Sequence, residues 1–358
     1  MKNPGKARTA TRRKPSSSPT RGGGLSRISK AGKGKSADTA TPVTLLTEAA
    51  QAIPREARDL DVRLGERTVH VTNLGKVFWP ELGITKGDLL RYYLEVAPVL
   101  LPHIEERAMV MRRYPNGIRG ESFFMKRAPS PRPDWIDICH IDHGSKGVID
   151  FPVIDDVASL LWVVNLGCID LNPWYAPCDD VDRPTYLHFD LDPGSAPFAQ
   201  VREAALVMRG ALESLGMPVL VKTTGSKGMH LYVPIERGPH QHDVWRFAKA
   251  FGDEIAVRHP KLMTAEYAVA RRPARRVLVD YNQNQWGRTL ASIYSVRPHP
   301  RAAVSMPVTW DEVAAGVAIE DFRIDNAAER LRAVGDLWAP LLAATGRFPL
   351  QRLLPALP

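Results

Sequence analysis

Hydrophobic positions along this chain recur with two different periods, and the period switches often. Tyr186-Leu187-His188-Phe189-Asp190-Leu191-Asp192-Pro193 reads as a buried strand, filled by Tyr, Leu, Phe and Leu and ended by Pro193-Gly194. Alternate residues on a strand share a face, so Asp190 and Asp192 point one way while Phe189 and Leu191 point into packing. Further strands are predicted over Arg67 to Val71, Ala108 to Arg113, Ser122 to Arg127, Trp135 to Ile138, Val148 to Phe151, Ile169 to Leu171, Val219 to Thr223, His230 to Val233 and Val277 to Asp280. Helical spacing marks Leu89, Leu90, Tyr93 and Val96, begun by Thr85 with Asp88 as an N-cap pair and stopped by Pro98. Asp155 is expected to cap a second helix running through Leu160, Leu161 and Val164 to Gly167. Phe198 to Leu215 and His242 to Val257 read as helices, and the pattern after Trp310 is helical. Strands and helices alternate only in part, and hairpins intervene. That predicts an α+β fold with mixed or antiparallel central sheets flanked by helices, not a doubly wound parallel sheet.

Charge changes this picture at one end of the chain. Residues 1–36 carry eleven Lys or Arg and no Asp or Glu; subtracting these from the net +9 leaves −2 for residues 37–358. The tail is rich in Gly, Ser, Pro and Thr, and Pro15, Pro19 and Gly22-Gly23-Gly24 break any helix, so it is expected to be disordered. A basic arm attracts polyanions, chiefly nucleic acid; a solubilising extension or an Arg/Ser-rich transit peptide are the other readings. A linker with a short helical patch runs from Ala37 to about Arg58. The expected organisation is a tail and linker over 1–58, a catalytic domain over 59–345 and a C-terminal extension over 346–358. No apolar run reaches membrane-spanning length, and no stretch reads as a signal-peptide h-region. Cys139, Cys168 and Cys178 form an odd, unpatterned trio, which predicts no disulfide framework and a cytoplasmic, nucleoid-associated protein.

Four stretches carry candidate chemistry. Two carboxylates side by side, Asp190 and Asp192, repel each other unless a cation separates them, and hard carboxylate oxygens suit Mg²⁺ or Mn²⁺; the alternative is a pair of strand-end acids facing water. In Lys222-Thr223-Thr224-Gly225-Ser226-Lys227-Gly228-Met229-His230, two glycines free backbone N–H groups to face an anion, Ser226 adds a hydroxyl and Lys227 a charge, and His230 projects from the polar strand face. The spacing is not that of a P-loop, and a tight hairpin with a surface lysine fits the same residues. Val277-Leu278-Val279-Asp280 is an apolar strand ending in an acid, and Tyr294-Ser295-Val296-Arg297 is a strand-like run ending in an arginine. Cys139-His140-Ile141-Asp142-His143 offers potential zinc ligands, but no further Cys or His pair completes a site, and a polar loop is the better reading.

Taken in order, "HFDLDP", "KTTGSKGMHLYVP", "LVDYNQN" and "IYSVR" resemble the polymerase domain of bacterial DNA ligase D, a branch of the archaeo-eukaryotic primase superfamily, from about Val69 to about Val313. The resemblance implies that Asp190, Asp192 and Asp280 form a metal-binding triad. It implies that Ser226, Lys227, His230 and Arg297 hold the triphosphate of an incoming NTP or dNTP. Asn73, Lys76, Pro80, Gly83, Thr85 and Lys86 match an amino-terminal pattern, in which Asn73, Lys76 and Lys86 would grip the 5′-phosphate downstream of a gap. "MRRYPNG" and "SFFMKR" also match. Arg112 would face nucleotide, Arg113 and Lys126 nucleic acid, and Phe123 with Phe124 would offer a stacking surface. Two adjacent phenylalanines on one strand cannot both face the core. Asn172 stands where the family usually has a histidine, and the family's basic residue before the third acid falls among Arg271, Arg272, Arg275 and Arg276.

The expected function is a template-directed nucleotidyltransferase that extends DNA 3′ ends across short gaps or breaks with two Mn²⁺ or Mg²⁺ ions. Its partners would be gapped or broken DNA with a 5′-phosphate, nucleoside triphosphates, a Ku-like end-binding protein and a separate ligase. No ligase or nuclease sequence follows Pro358, so the expectation is a stand-alone relative. The alternatives are a primase that starts strands without a primer, and a DNA-end-binding or bridging protein with secondary catalysis.

Overall fold

The computed structural model describes residues 50–357; the basic tail and most of the expected linker lie outside them. Strands β1 (Leu60–Leu64) and β2 (Arg67–Val71) form a hairpin that buries Val62, Val69 and Val71. A short pair, β3 (Val77–Trp79) and β4 (Ile84–Thr85), leads into helix α1 (Lys86–Ile104). Thr85 and Asp88 form the reciprocal capping box that their spacing predicts. The helix does not stop at Pro98, as expected from the sequence, but runs through Pro98 and Pro102. Leu89, Leu90, Tyr93, Val96, Ala97, Leu100 and Ile104 are all buried, and that burial outweighs the two donors the prolines remove.

Strands β5 (Met109–Arg113) and β6 (Phe123–Met125) follow, then the hairpin β7 (Ile138–Asp142) and β8 (Val148–Pro152), helix α2 (Val157–Asn165) and strand β9 (Cys168–Pro173). The strand expected at Trp135 to Ile138 thus begins at Ile138, and residues 139–142 are strand rather than polar loop. Cys139 is disulfide-bonded to Cys178, which corrects the expectation of no disulfide; Cys168 is the free, buried thiol. The two bonded residues are 39 apart in sequence, and a small second core of Val110, Ile141, Phe151 and Trp174 brings their Cα atoms to 5.7 Å. His140 pairs with Asp150 at 2.8 Å, and no group of three His, Cys, Asp or Glu among the described residues is arranged to hold a metal. Asp156, not Asp155, caps α2; Asp155 instead accepts a hydrogen bond from the Glu106 N–H.

Strands β10 (Tyr186–Asp192), β11 (Leu220–Thr223), β12 (Met229–Pro234), β13 (Met263–Thr264), β14 (Val277–Asp280) and β15 (Pro307–Val308) make the main sheet, in the order β13-β14-β10-β12-β11-β15. All pairs are antiparallel except β13 with β14. Helices α3 (Phe198–Ser214) and α4 (Gln241–Arg258) pack on one face of it. Phe189 meets Phe251 of α4 at 5.3 Å, so the apolar side of β10 faces the helices and its acidic side faces away. A second antiparallel sheet, β6-β5-β9, stands beside this open face.

The run Tyr294–Arg297 is not an assigned strand, but it is tied to residues 303–305 by a bridge, Val296 to Val304, and by backbone bonds such as Tyr294 N–H to Ser305 O and Arg297 N–H to Ala303 O. Beyond Trp310 the helices are short: α5 (Trp310–Ala315), α6 (Ala327–Val334) and α7 (Ala339–Leu342). In the expected extension, Phe348 bridges Ile235 and Leu350 is fully buried. Among the described residues no helix is long and apolar enough to cross a membrane.

Candidate active site

The register of the main sheet lines up four ionisable residues. Asp190 lies opposite Asp280 on one side and His230 on the other, and His230 lies opposite Lys222. Directly opposed residues in an antiparallel pair project to the same face. Asp280, Asp190, His230 and Lys222 therefore cross the sheet in one row, with Asp192 on the next row of the same face, opposite Leu278. All three carboxyls are pushed above the ordinary carboxylate range, first by burial. The Asp190 charge adds to this at Asp192 and Asp280. Asp190 is pushed up to about 6 although Lys222 and Arg297 oppose the shift. The three carboxyls share one sheet face and are hard oxygen donors of the kind a divalent cation takes, but as placed their side chains do not converge into a metal-holding group. Asp280 is turned partly aside: its oxygens accept from the Asn282 N–H and Gln283 Nε2, both at 2.9 Å.

His230 is buried, and its Nε2 lies 3.4 Å from Asp190 Oδ1 while Nδ1 has no hydrogen-bond partner. Burial, then the charges of Lys222 and Arg297, push its pKa well down, so at neutral pH it is an uncharged donor rather than a cation. Lys222 is fully buried and donates to the Ala291 carbonyl at 3.0 Å and to Ser305 Oγ. Burial lowers its pKa well below the usual lysine range. Sequence reasoning gave this lysine no role; the available signal was a lysine between Val221 and Thr223 in an apolar strand.

The glycine loop between β11 and β12 is tighter than a phosphate nest. Thr224 Oγ1 accepts from the backbone N–H groups of Ser226, Lys227 and Gly228 at 3.1, 3.2 and 3.1 Å, so the loop satisfies its own donors. The expectation that these N–H groups face an anion is corrected accordingly; the Ser226 hydroxyl and the exposed Lys227 ammonium remain. Gly228 sits against β10, where a Cβ would lie 2.1 Å from the Leu191 carbonyl oxygen. Asp190, Asp192, Ser226, Lys227, His230 and Arg297 line one cleft of about 220 Å³. Arg297 is held at two points, donating from Nε to Asp170 Oδ1 at 3.0 Å and from one terminal nitrogen to the Thr224 carbonyl at 2.8 Å. Asn172 also lines the cleft, but its amide nitrogen donates to the carbonyls of Val110 and Asp170 at 3.3 and 3.2 Å.

At the side of this cleft, β5 and β6 pair Arg112 with Phe124 and Arg113 with Phe123. Each guanidinium lies against the ring opposite it, at 5.3 and 5.4 Å, and the rings are 62% and 44% exposed. Neither phenylalanine enters the core, which answers the question raised by two aromatic neighbours on one strand. Lys126 is exposed just past β6. Of the four arginines whose register the sequence left open, Arg272 is the one whose charge is felt at Asp192; it is anchored on the carbonyls of Glu266 and Tyr267.

Asn73, Lys76 and Lys86 gather at the start of α1. Lys86 is buried, donates to the Thr72 carbonyl at 2.7 Å, and is lowered to about 8 by burial and then by the Lys76 charge. Lys76 donates to Asn116 Oδ1 at 2.7 Å. Asn73 holds a left-handed φ of 56°, and its N–H donates to Asp59 Oδ1 at 2.6 Å. The first three N–H groups of α1 are already bonded, to Lys76 O, Leu74 O and Thr85 Oγ1. The helix end is therefore not a free anion site, and the side chains of Lys76, Lys86 and Asn73 are what this corner offers.

The family model described as LigD, primase-polymerase domain, matches residues 85–338. The chain is 34% identical over 276 residues to the multifunctional non-homologous end joining protein LigD of Mycolicibacterium smegmatis, covering 76% of this chain and 36% of that protein. It is 30% identical over 268 residues to the bifunctional non-homologous end joining protein LigD of Bacillus subtilis, covering 74% and 42%. The chain thus spans well under half the length of these relatives. The polymerase domain of Mycobacterium tuberculosis ligase D, solved in complex with DNA, superposes with a TM-score of 0.73 at 31% identity, covering 78% of this chain and 99% of that one.

Proposed function

Because this chain belongs to the LigD primase-polymerase family, we propose that it is a template-directed nucleotidyltransferase that extends DNA 3′ ends across short gaps or double-strand breaks. The observation that carries the reading is three carboxylates on one sheet face, two of which, Asp190 and Asp192, line a cleft with Lys227 and Arg297. Asp190, Asp192 and Asp280 would hold two divalent cations, Mn²⁺ or Mg²⁺, and Asp280 would have to give up its bonds to the Asn282 N–H and Gln283 Nε2 to take part. When bound, such ions lower the pKa of the primer 3′-hydroxyl and offset charge on the triphosphate and the departing pyrophosphate.

The chain's own residues do the rest. The primer oxygen attacks the α-phosphorus of an NTP or dNTP, and pyrophosphate leaves. Lys227 and the fixed Arg297 guanidinium face the phosphates, where a preorganised charge needs no rearrangement as the reaction proceeds. The Ser226 hydroxyl adds a donor. His230, uncharged, contributes one N–H and keeps the Asp190 carboxylate in place. Phe123 and Phe124 give bases a face to stack on, and Lys76, Lys86 and Asn73 would receive the downstream 5′-phosphate. On this reading the partners are gapped or broken duplex DNA, a Ku-like end-binding protein and a separate ligase, and the pathway is non-homologous end joining.

The test is primer extension on a gapped duplex with labelled nucleotides, in Mg²⁺ and in Mn²⁺. Wild type should incorporate; Asp190→Ala and Asp192→Ala should not, while binding the DNA nearly as well. Normal extension by either variant sinks the metal assignment. Product formed without a primer points instead to a primase, and binding without incorporation to an end-bridging protein.

A further inference from the structure

Asp170, on β9, is 1% exposed and directly opposite Arg112 of β5. Its two oxygens are divided between two arginines from different parts of the chain. Oδ1 accepts from Arg297 Nε at 3.0 Å, and Oδ2 lies 3.6 Å from the Arg112 guanidinium. The sequence reading gave it no role, although an acid between Ile169 and Leu171 in a buried strand was a visible signal.

The two arginines face different things. Arg297 commits Nε to Asp170 and one terminal nitrogen to the Thr224 carbonyl, which leaves the other edge of its guanidinium to the cleft. Arg112 lies 5.3 Å from the Phe124 ring and 5.2 Å from the Tyr114 ring, at the exposed aromatic ledge. One buried carboxylate thus joins the wall that faces phosphate to the ledge that faces bases.

A carboxylate is a poor neighbour for an anion site, because it competes with the substrate for the same cations. What it supplies is geometry. Two guanidinium groups of like charge would splay apart, and each would lose rotamer freedom on binding. Resting on the proposed nucleotidyltransferase reading, we propose that Asp170 is a positioning residue that holds Arg297 and Arg112 in register. The triphosphate and the base of one nucleotide are then gripped at a set separation.

The proposal separates two ligands. Inorganic tripolyphosphate touches only the phosphate wall, whereas a nucleoside triphosphate spans wall and ledge. In Asp170→Asn the amide accepts from one arginine and loses the competing charge. Binding of NTP, followed by calorimetry in Mn²⁺, should weaken about tenfold, equivalent to about 1.4 kcal/mol, while tripolyphosphate binds as well as before or better. In extension assays the NTP KM should rise by the same factor with kcat changed less than about twofold, the split expected when ground-state and transition-state binding weaken together. Arg112→Gln, at a more exposed position, should reproduce the NTP loss without touching tripolyphosphate, and should add nothing in the Asp170→Asn background. If Asp170→Asn does not fold, judged by its melting temperature, Arg112→Gln carries the test alone. Equal weakening of both ligands, an unchanged NTP affinity, or additive effects overturn the proposal. A wild type that binds NTP better than tripolyphosphate yet incorporates nothing would refute the polymerase reading and leave the positioning role standing.

Discussion

The corner formed by Lys76 and Lys86 makes a pH-dependent prediction. Lys86 is buried and its pKa is lowered to about 8, so its charge is present below that value and is lost as pH rises through it. The second ionisation of a terminal phosphate lies near 6, so the ligand is a dianion throughout the window above pH 7. One of the three Lys86 donors is committed to the Thr72 carbonyl, which leaves two for the phosphate. A hydrogen bond to a charged group is worth about 1.5–3 kcal/mol, so at pH 7 a gapped duplex with a 5′-phosphate should bind roughly 10- to 150-fold tighter than one with a 5′-hydroxyl. With a pKa of about 8, free Lys86 is about 90% protonated at pH 7 and about 10% at pH 9. Phosphate binding favours the protonated form, so the preference should fall by about tenfold between pH 7 and pH 9. The assay is a fluorescence titration of both duplexes across that range at constant ionic strength. Lys86→Met should abolish the slope, and Lys76→Ala should lower the preference at every pH. A preference that does not vary with pH, or a slope that survives Lys86→Met, would refute the reasoning.

Three further outcomes are expected. Asn172→His should lower the nucleotide KM by about 2- to 10-fold, because the Asn172 amide hydrogens are both directed at backbone carbonyls and an imidazole could donate into the cleft; steady-state kinetics over a range of NTP concentrations reads this directly. Gly228→Ala should lower the melting temperature and release the glycine loop, since its Cβ would lie 2.1 Å from the Leu191 oxygen and overpacking of this kind costs about 1–3 kcal/mol. Removing residues 1–36, with their eleven basic side chains, should weaken DNA binding regardless of sequence and flatten its salt dependence by about 0.9 in log–log slope for each DNA phosphate that the tail neutralises; an unchanged slope would show that the tail does not touch DNA.

Much of this protein was legible where the physics is local. Alternation along residues 186–192 put Asp190 and Asp192 on one face and Phe189 and Leu191 on the other, because the pleat of a strand needs no tertiary partner to be read. The Thr85 and Asp88 capping box was readable for the same reason: both partners lie within one helical turn. Gly228 was readable as a hairpin residue, though not as the point where the loop presses on β10. What periodicity could not give was which elements meet. Whether Pro98 ends a helix depends on the apolar surface that surrounds α1, and whether Cys139 finds Cys178 depends on a second core assembled from four separate segments.

The sequence by itself determined the acids, the order of the motifs and the mixed sheet that carries them, since each rests on spacing between near neighbours. Only the tertiary structure decided their electrical state and their partners. His230 reads as a group that offsets phosphate charge and is itself uncharged; Lys222, a residue type that ordinarily stays at the surface, is buried; the glycine-loop N–H groups read as an anion nest and are bonded to Thr224. The reason is the same in each case. Charge and hydrogen-bonding capacity are set by what excludes water from a group and what lies opposite it, and those neighbours come from residues as far away as Ala291, Arg297 and Ser305.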